Sequence, residues 1–150
     1  METIENIAEI ELVYKPAISN KPVVASSSDA YLILKEHYNL NTIALQESFV
    51  VLYLNQFNRV IGLNKMTVGG ITGTIVDLRI LFATALKAAA TGIIISHNHP
   101  SGNPKPSVLD LKITGQIKEA GKLFDIRLLD HLIIAPDDKY TSMADNGDLW

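Results

Sequence analysis

One stretch limits what this chain can become more than any other. It runs Gly92-Ile93-Ile94-Ile95-Ser96-His97-Asn98-His99, continues through Pro100 to Pro106, and resumes at Ser107-Val108-Leu109-Asp110. A short Ile-rich run after a glycine reads as a buried strand. Side chains alternate faces along a strand, so His97 and His99 present two imidazoles on one side of its end and Asn98 points to the other. Pro100, Gly102, Pro104 and Pro106 exclude regular structure from the loop. Ser107 then opens a helix with Asp110 in its first turn. Two same-face imidazoles and a carboxylate carried back by a helix make a three-ligand set for zinc. Three protein ligands leave the fourth tetrahedral position to water, the arrangement of catalytic zinc sites.

Composition narrows the chemistry further. The chain has 150 residues and no cysteine, which removes disulfides, thiolate ligands and a Cys nucleophile together. Zinc deaminases need cysteine ligands and are excluded. Net charge is −3 and the pI about 5.7, so no global basic field draws a phosphate backbone. A local basic patch stays open, since Lys105, Lys112, Lys118 and Lys122 lie in or after the loop. The acidic N-terminus has no signal-peptide pattern. No apolar run reaches the roughly 18 residues of a membrane helix. The expectation is a soluble, cytoplasmic protein of one domain spanning 1–150, with residues 1–44 supplying a strand and a helix packed on the core.

Taken in order, residues 7–14 alternate as a strand with Ile10, Leu12 and Tyr14 on one face. Pro16 and Pro22 make 15–25 a loop. Ser26 to Asp29 offers N-caps for a helix to about 38, with Tyr31, Leu34 and Tyr38 inward. Residues 47–54 read as a central strand, turning at 55–58 into a partner at 59–63. Gly69, Gly70 and Gly73 allow unusual turns beside the cleft, without the Lys-Ser/Thr of a phosphate loop. Asp77 caps a helix to about 90, with Leu78, Leu81, Phe82, Ala85 and Ala89 inward and Gly92 at its exit. A third helix spans 107–123 with Ile113, Ile117 and Ala120 on one face. Strands follow at 127–135 and 140–143. The fold class is α/β, a mixed sheet packed between helices.

These residues resemble the JAB/MPN metalloprotease signature, the JAMM motif: His-x-His, seven residues, Ser, two residues, Asp, with a Glu upstream. His97, His99, Ser107 and Asp110 match that spacing. Within the superfamily, HNHPSGNPKPS looks like the RadC family, once labelled DNA repair proteins. The likeness extends to ESFVVLYLN from Glu47, GGITGTIVDLR ending at Arg79, and LLDHLII from Leu128. RadC relatives usually carry an N-terminal helix-hairpin-helix region, and residues 1–44 show no such glycine-centred hairpin. The resemblance implies a JAB/MPN, cytidine-deaminase-like architecture and a zinc hydrolase related to isopeptidases. By position it makes His97, His99 and Asp110 the ligands of Zn2+, Glu47 the general base and Ser107 an oxyanion stabiliser.

Plainer readings exist for several of these residues. Ser107-Val108-Leu109-Asp110 is also a helix-capping pattern, in which Ser107 caps and Asp110 favours the positive end of the helix. An acid before a strand, as at Glu47, is commonly a solvated loop residue. Asp130-His131 is a second metal-related pair, a partner of a ligand, or a hydrogen bond at a strand end. The site is read without it. Three functions compete. The first is a zinc metallopeptidase or isopeptidase acting on a peptide or protein. The second is a DNA-associated or DNA repair protein, or a metal-dependent enzyme on nucleic acid. The third is a non-catalytic interaction domain.

Overall fold

The computed structural model describes residues 7–11, 13, 15, 16, 21–69 and 76–149. Its elements run α1 (Ser27–Lys35), β1 (Ser48–Leu54), β2 (Val60–Val68), α2 (Leu78–Lys87), β3 (Gly92–Asn98), α3 (Val108–Lys122), β4 (Arg127–Ile134) and β5 (Tyr140–Ser142). The strands form one five-stranded sheet in the order β2-β1-β3-β4-β5. β3 and β4 are parallel, joined by α3 as the crossover, and every other neighbouring pair is antiparallel. The result is the mixed α/β sheet expected of a JAB/MPN domain.

Both faces of the sheet are covered, which explains why β1 and β3 read as continuous apolar runs. On one face Phe49, Val51, Tyr53, Ile93 and Ile95 pack with Leu81, Phe82 and Ala85 of α2 and Ile117 of α3. On the other, Val50, Leu52, Leu54, Ile94, Leu132 and Ile134 pack with Ala30, Tyr31, Leu34 and Tyr38 from α1 and the turn after it. Ser26 caps α1 in a reciprocal box with Asp29. His97 is paired with Phe49 across β1 and β3, so the histidine end of β3 faces the α2/α3 layer.

Three expectations change. No strand forms at the described positions of 7–14: Ile7, Ile10 and Val13 are exposed and residues 7–11 and 13 pair with nothing in the sheet. Alternation makes a strand only where an edge accepts it, and the chain before α1 pairs instead at an isolated Val23–Arg59 bridge just before β2. Leu12 and Tyr14 lie outside the described residues, as do 70–73 of the glycine-rich stretch. The second change is the exit of α2. The Ala90 N–H bonds the Ala85 carbonyl at 2.9 Å and the Ala89 N–H bonds that of Leu86 at 3.1 Å, a Schellman pair. The left-handed residue is therefore Ala89, at φ 52° and exposed, and not Gly92, which opens β3. Third, α3 buries Thr114, Ile117 and Gly121, while Ile113 and Ala120 are only partly covered.

α3 ends in the same bond pair, Ile126 N–H to Gly121 at 2.9 Å and Asp125 N–H to Lys122 at 3.4 Å. A Cβ on Gly121 would sit 2.3 Å from the Ile126 carbonyl oxygen, whereas one on Gly115, in the same helix, meets nothing within 4 Å. Gly121→Ala is therefore expected to destabilise by about 1–3 kcal/mol through overpacking. Gly115→Ala should stabilise by about 0.5–1 kcal/mol through helix propensity. Urea unfolding of both variants checks the contrast, and equal shifts would refute it.

Candidate metal centre

Asn98, the last residue of β3, is fully buried and uses its amide completely. It accepts from the Ser48 N–H at 2.7 Å and donates to the Ile43 and Gln46 carbonyls at 2.7 and 2.9 Å. Those bonds tie the turn before β1 to the end of β3. Glu47, one residue before β1, is held between Gln46 and Ser48, and its carbonyl accepts from the Gly69 N–H at 2.7 Å. The residue on the far face from the imidazoles thus fixes where the upstream acid stands.

His97 and His99 turn their Nε2 atoms toward each other at 2.9 Å. Asp110 reaches both, Oδ1 at 3.1 Å from His97 Nε2 and Oδ2 at 3.2 Å from His99 Nε2. His97 is buried; His99 and Asp110 are partly covered. Asp110 also completes the helix cap: Oδ2 accepts from the Ser107 N–H at 2.7 Å, and Ser107 Oγ accepts from the Asp110 N–H at 3.1 Å. The capping and ligand readings of Asp110 are not rivals, since one carboxylate serves both geometries. Ser107 is the cap and is exposed.

The donor chemistry fits a metal. His99 Nδ1 lies 2.8 Å from the Asn103 carbonyl oxygen, which can only accept, so Nδ1 carries the hydrogen and the neutral ring leaves Nε2 bare. A bare nitrogen facing a second imidazole nitrogen and a carboxylate calls for a shared cation, a proton or a metal ion. Nitrogens bound tetrahedrally to zinc at about 2.0–2.1 Å are about 3.3 Å apart, so the set needs only a small outward shift. Two imidazoles and one carboxylate suit zinc and neighbouring divalent transition metals. Among the described residues no other group of three such side chains converges.

Burial by itself would raise the Asp110 pKa, but the adjacent His97 and His99 side chains, which can share a cation with it, outweigh burial and hold the carboxyl far below its usual range. The Asp110 bond raises His99 above the ordinary histidine value of 6.5, against the opposing pull of burial.

His131 and Thr114 are the residues that sequence reasoning left outside the site. His131 Nε2 is 2.8 Å from His97 Nδ1, and its Nδ1 is 2.6 Å from Thr114 Oγ1, which reaches the Asp110 carbonyl at 2.5 Å. His131 is completely buried, and burial followed by the charge of His97 drives its pKa well below 6.5. Of the sequence alternatives, the partner of a candidate ligand describes His131. A structural hydrogen bond describes Asp130, but in the middle of β4 and not at a strand end: it accepts from the Ser142 hydroxyl at 2.6 Å and from the Ala144 and His131 N–H groups. The signal for His131 was its place in LLDHLII, a polar pair inside an apolar strand.

A cavity of about 380 Å³ opens beside the donors, lined by Glu47, Phe49, Val76, His97, Leu109, Asp110, Lys112, Ile113 and Gln116. Phe49 stacks nearly parallel to His97, ring centres 6.4 Å apart. Of the lysines around the loop, Lys112 faces this cavity. The Nζ of Lys118 donates to the Leu149 carbonyl, and Lys122 pairs with Glu119 at 2.8 Å. No helix among the described residues is long and apolar enough to cross a membrane.

A strand-end His-x-His pair, faced by an aspartate on the returning helix of a mixed sheet, defines a JAB-type domain able to hold a metal. A family model described as RadC-like JAB domain matches residues 24–148, and the chain belongs to that family. It is 45% identical over 124 residues to a UPF0758 protein of Flavobacterium johnsoniae, covering 83% of this chain and 52% of that one. Identity to the UPF0758 protein YsxA of Bacillus subtilis is 38% over 150 residues, 98% of this chain and 63% of that one. A UPF0758 protein of Porphyromonas gingivalis is 35% identical over 141 residues, 94% and 62% of the two chains. The chain thus spans between half and two thirds of the length of these relatives.

Metal ligands must be deprotonated to bind. His99 holds its proton to a higher pH than an ordinary histidine, so acidification should weaken zinc binding, with the decline beginning above pH 6.5. Competition with a coloured chelator across the neutral range checks this, and an affinity unchanged through that range would contradict it.

Proposed function

We propose that this chain is a zinc-dependent hydrolase domain that cleaves peptide or isopeptide bonds with an activated water. The observation that carries the reading is the convergence of His97 Nε2, His99 Nε2 and the Asp110 carboxylate at 2.9–3.2 Å. It lies beside a cavity whose wall includes Glu47. His97, His99 and Asp110 would hold the ion. When bound, zinc supplies a Lewis acid that polarises a carbonyl oxygen and lowers the pKa of water.

The protein residues take the remaining roles. Glu47 accepts a proton from the attacking water and returns it to the departing nitrogen, help worth on the order of a hundred- to ten-thousand-fold. No covalent enzyme intermediate is needed. Ser107 Oγ accepts from the Asp110 N–H, and its own hydrogen has no acceptor among the described residues. It is therefore available to donate to the oxyanion that forms at the attacked carbonyl. Phe49, Val76, Leu109 and Ile113 give the cavity apolar walls, which suit an amino-acid side chain better than a phosphodiester.

The nucleic-acid reading has less support. Two-metal nucleases gather more carboxylates than one aspartate and one glutamate, and two of the four lysines near the loop already have protein partners. The interaction-domain reading is disfavoured because none of the ligand positions is lost.

Glu47→Gln removes the proton acceptor and no ligand. It is expected to bind zinc like the parent and to lose about a hundred- to ten-thousand-fold in kcat on a peptide or isopeptide substrate. Zinc titration alongside a substrate panel checks both parts. A Gln variant that cleaves as fast as the parent would refute the role of Glu47.

A further inference from the structure

We propose that His131 and Thr114 are positioning residues that lock His97 into the tautomer whose bare Nε2 faces the metal position. The proposal rests on the metal-centre reading and adds the device that keeps the centre ready to bind.

The direction of the hydrogen-bond chain follows from its last member. The Asp110 carbonyl oxygen can only accept, and it lies 2.5 Å from Thr114 Oγ1. Thr114 has a single hydroxyl hydrogen, and a contact that short requires it between the two oxygens. Thr114 Oγ1 must therefore accept from His131 Nδ1 at 2.6 Å, which makes that nitrogen the protonated one. His131 is fully buried and neither ring nitrogen has a carboxylate partner, so its ring carries one hydrogen and Nε2 is an acceptor. Only His97 Nδ1, at 2.8 Å, can donate to it. A neutral His97 with hydrogen on Nδ1 has none on Nε2, the atom that faces His99 and Asp110.

The reverse chain fails at its end. Were His131 Nε2 the donor, Nδ1 would take the Thr114 hydrogen, and two oxygens would face each other at 2.5 Å with no hydrogen between them. The other acceptor near the hydroxyl is the Met143 thioether, 3.6 Å away and weak. The carbonyl belongs to Asp110 itself, so one chain orients the first ligand and anchors the backbone of the third. His99 reaches the same state independently, through the Asn103 carbonyl. Both imidazoles are thereby directed by main-chain oxygens that cannot donate.

The test is 15N NMR of the zinc-free parent at mildly alkaline pH, together with zinc titration of Thr114→Val, Thr114→Ser and His131→Leu. The expected spectrum has His97 protonated at Nδ1 and bare at Nε2. Thr114→Val and His131→Leu should bind zinc about 10- to 100-fold more weakly, and Thr114→Ser should return to within about twofold of the parent. A His97 protonated at Nε2 in the zinc-free parent would overturn the proposal, as would parent-like zinc affinity in Thr114→Val. If His131→Leu does not fold, the near-isosteric Thr114→Val and its serine rescue decide the outcome. A parent that binds no zinc would count against the metal centre itself, and the tautomer spectrum would still decide the direction of the chain.

Discussion

The site depends on how the first turn of α3 meets the end of β3. A helix N-terminus leaves N–H groups without partners, and the Ser107–Asp110 box satisfies two of them while fixing the Asp110 carboxylate in orientation. The same carboxylate then meets two imidazoles that strand alternation and one further residue have already turned to the same side. A lone acid so placed would be costly to cover; two histidines, and a cation shared with them, compensate its burial. Moving the start of α3 by one residue would break the cap and the cluster together, because both rest on the same side chain.

Around this contact the two faces of β3 divide the labour. His97 faces the α2/α3 layer and is backed by the buried His131 and Thr114. Asn98, turned to the opposite face, closes the turn that leads to Glu47. Alternation along three residues therefore places a candidate ligand, a scaffold for the acid, and a second candidate ligand in succession. The ordering residues are buried, whereas His99, Asp110 and Glu47 are only partly covered, and Asp110 and Glu47 line the cavity. The candidate donors thus have a buried back wall and a partly accessible front.

Much of this was legible because it is local. The strand before the histidines, the proline-rich loop and the capping pattern are written in consecutive residues, so the candidate donors followed from spacing. The α2 exit was not, because Ala89 accepts a left-handed backbone to complete a Schellman pair even with Gly92 three residues on. The N-terminal alternation misled because a strand requires an edge to pair with, which the sequence of 7–14 cannot supply. His131 and Thr114 escaped notice for a related reason. They lie 34 and 17 residues from His97 in sequence, and parallel pairing of β3 with β4 beneath α3 brings them to it. A buried polar residue in an apolar strand signals a partner without saying which.

The central claim is that His97, His99 and Asp110 form a metal site. The most direct measurement is the zinc content of the purified chain after zinc exposure and desalting, beside a His97→Ala/His99→Ala variant carried through the same steps. One zinc per parent chain and none in the variant is the predicted result. Equal, negligible zinc in both would contradict the account and leave the cluster as a capped helix end sharing a proton between two histidines.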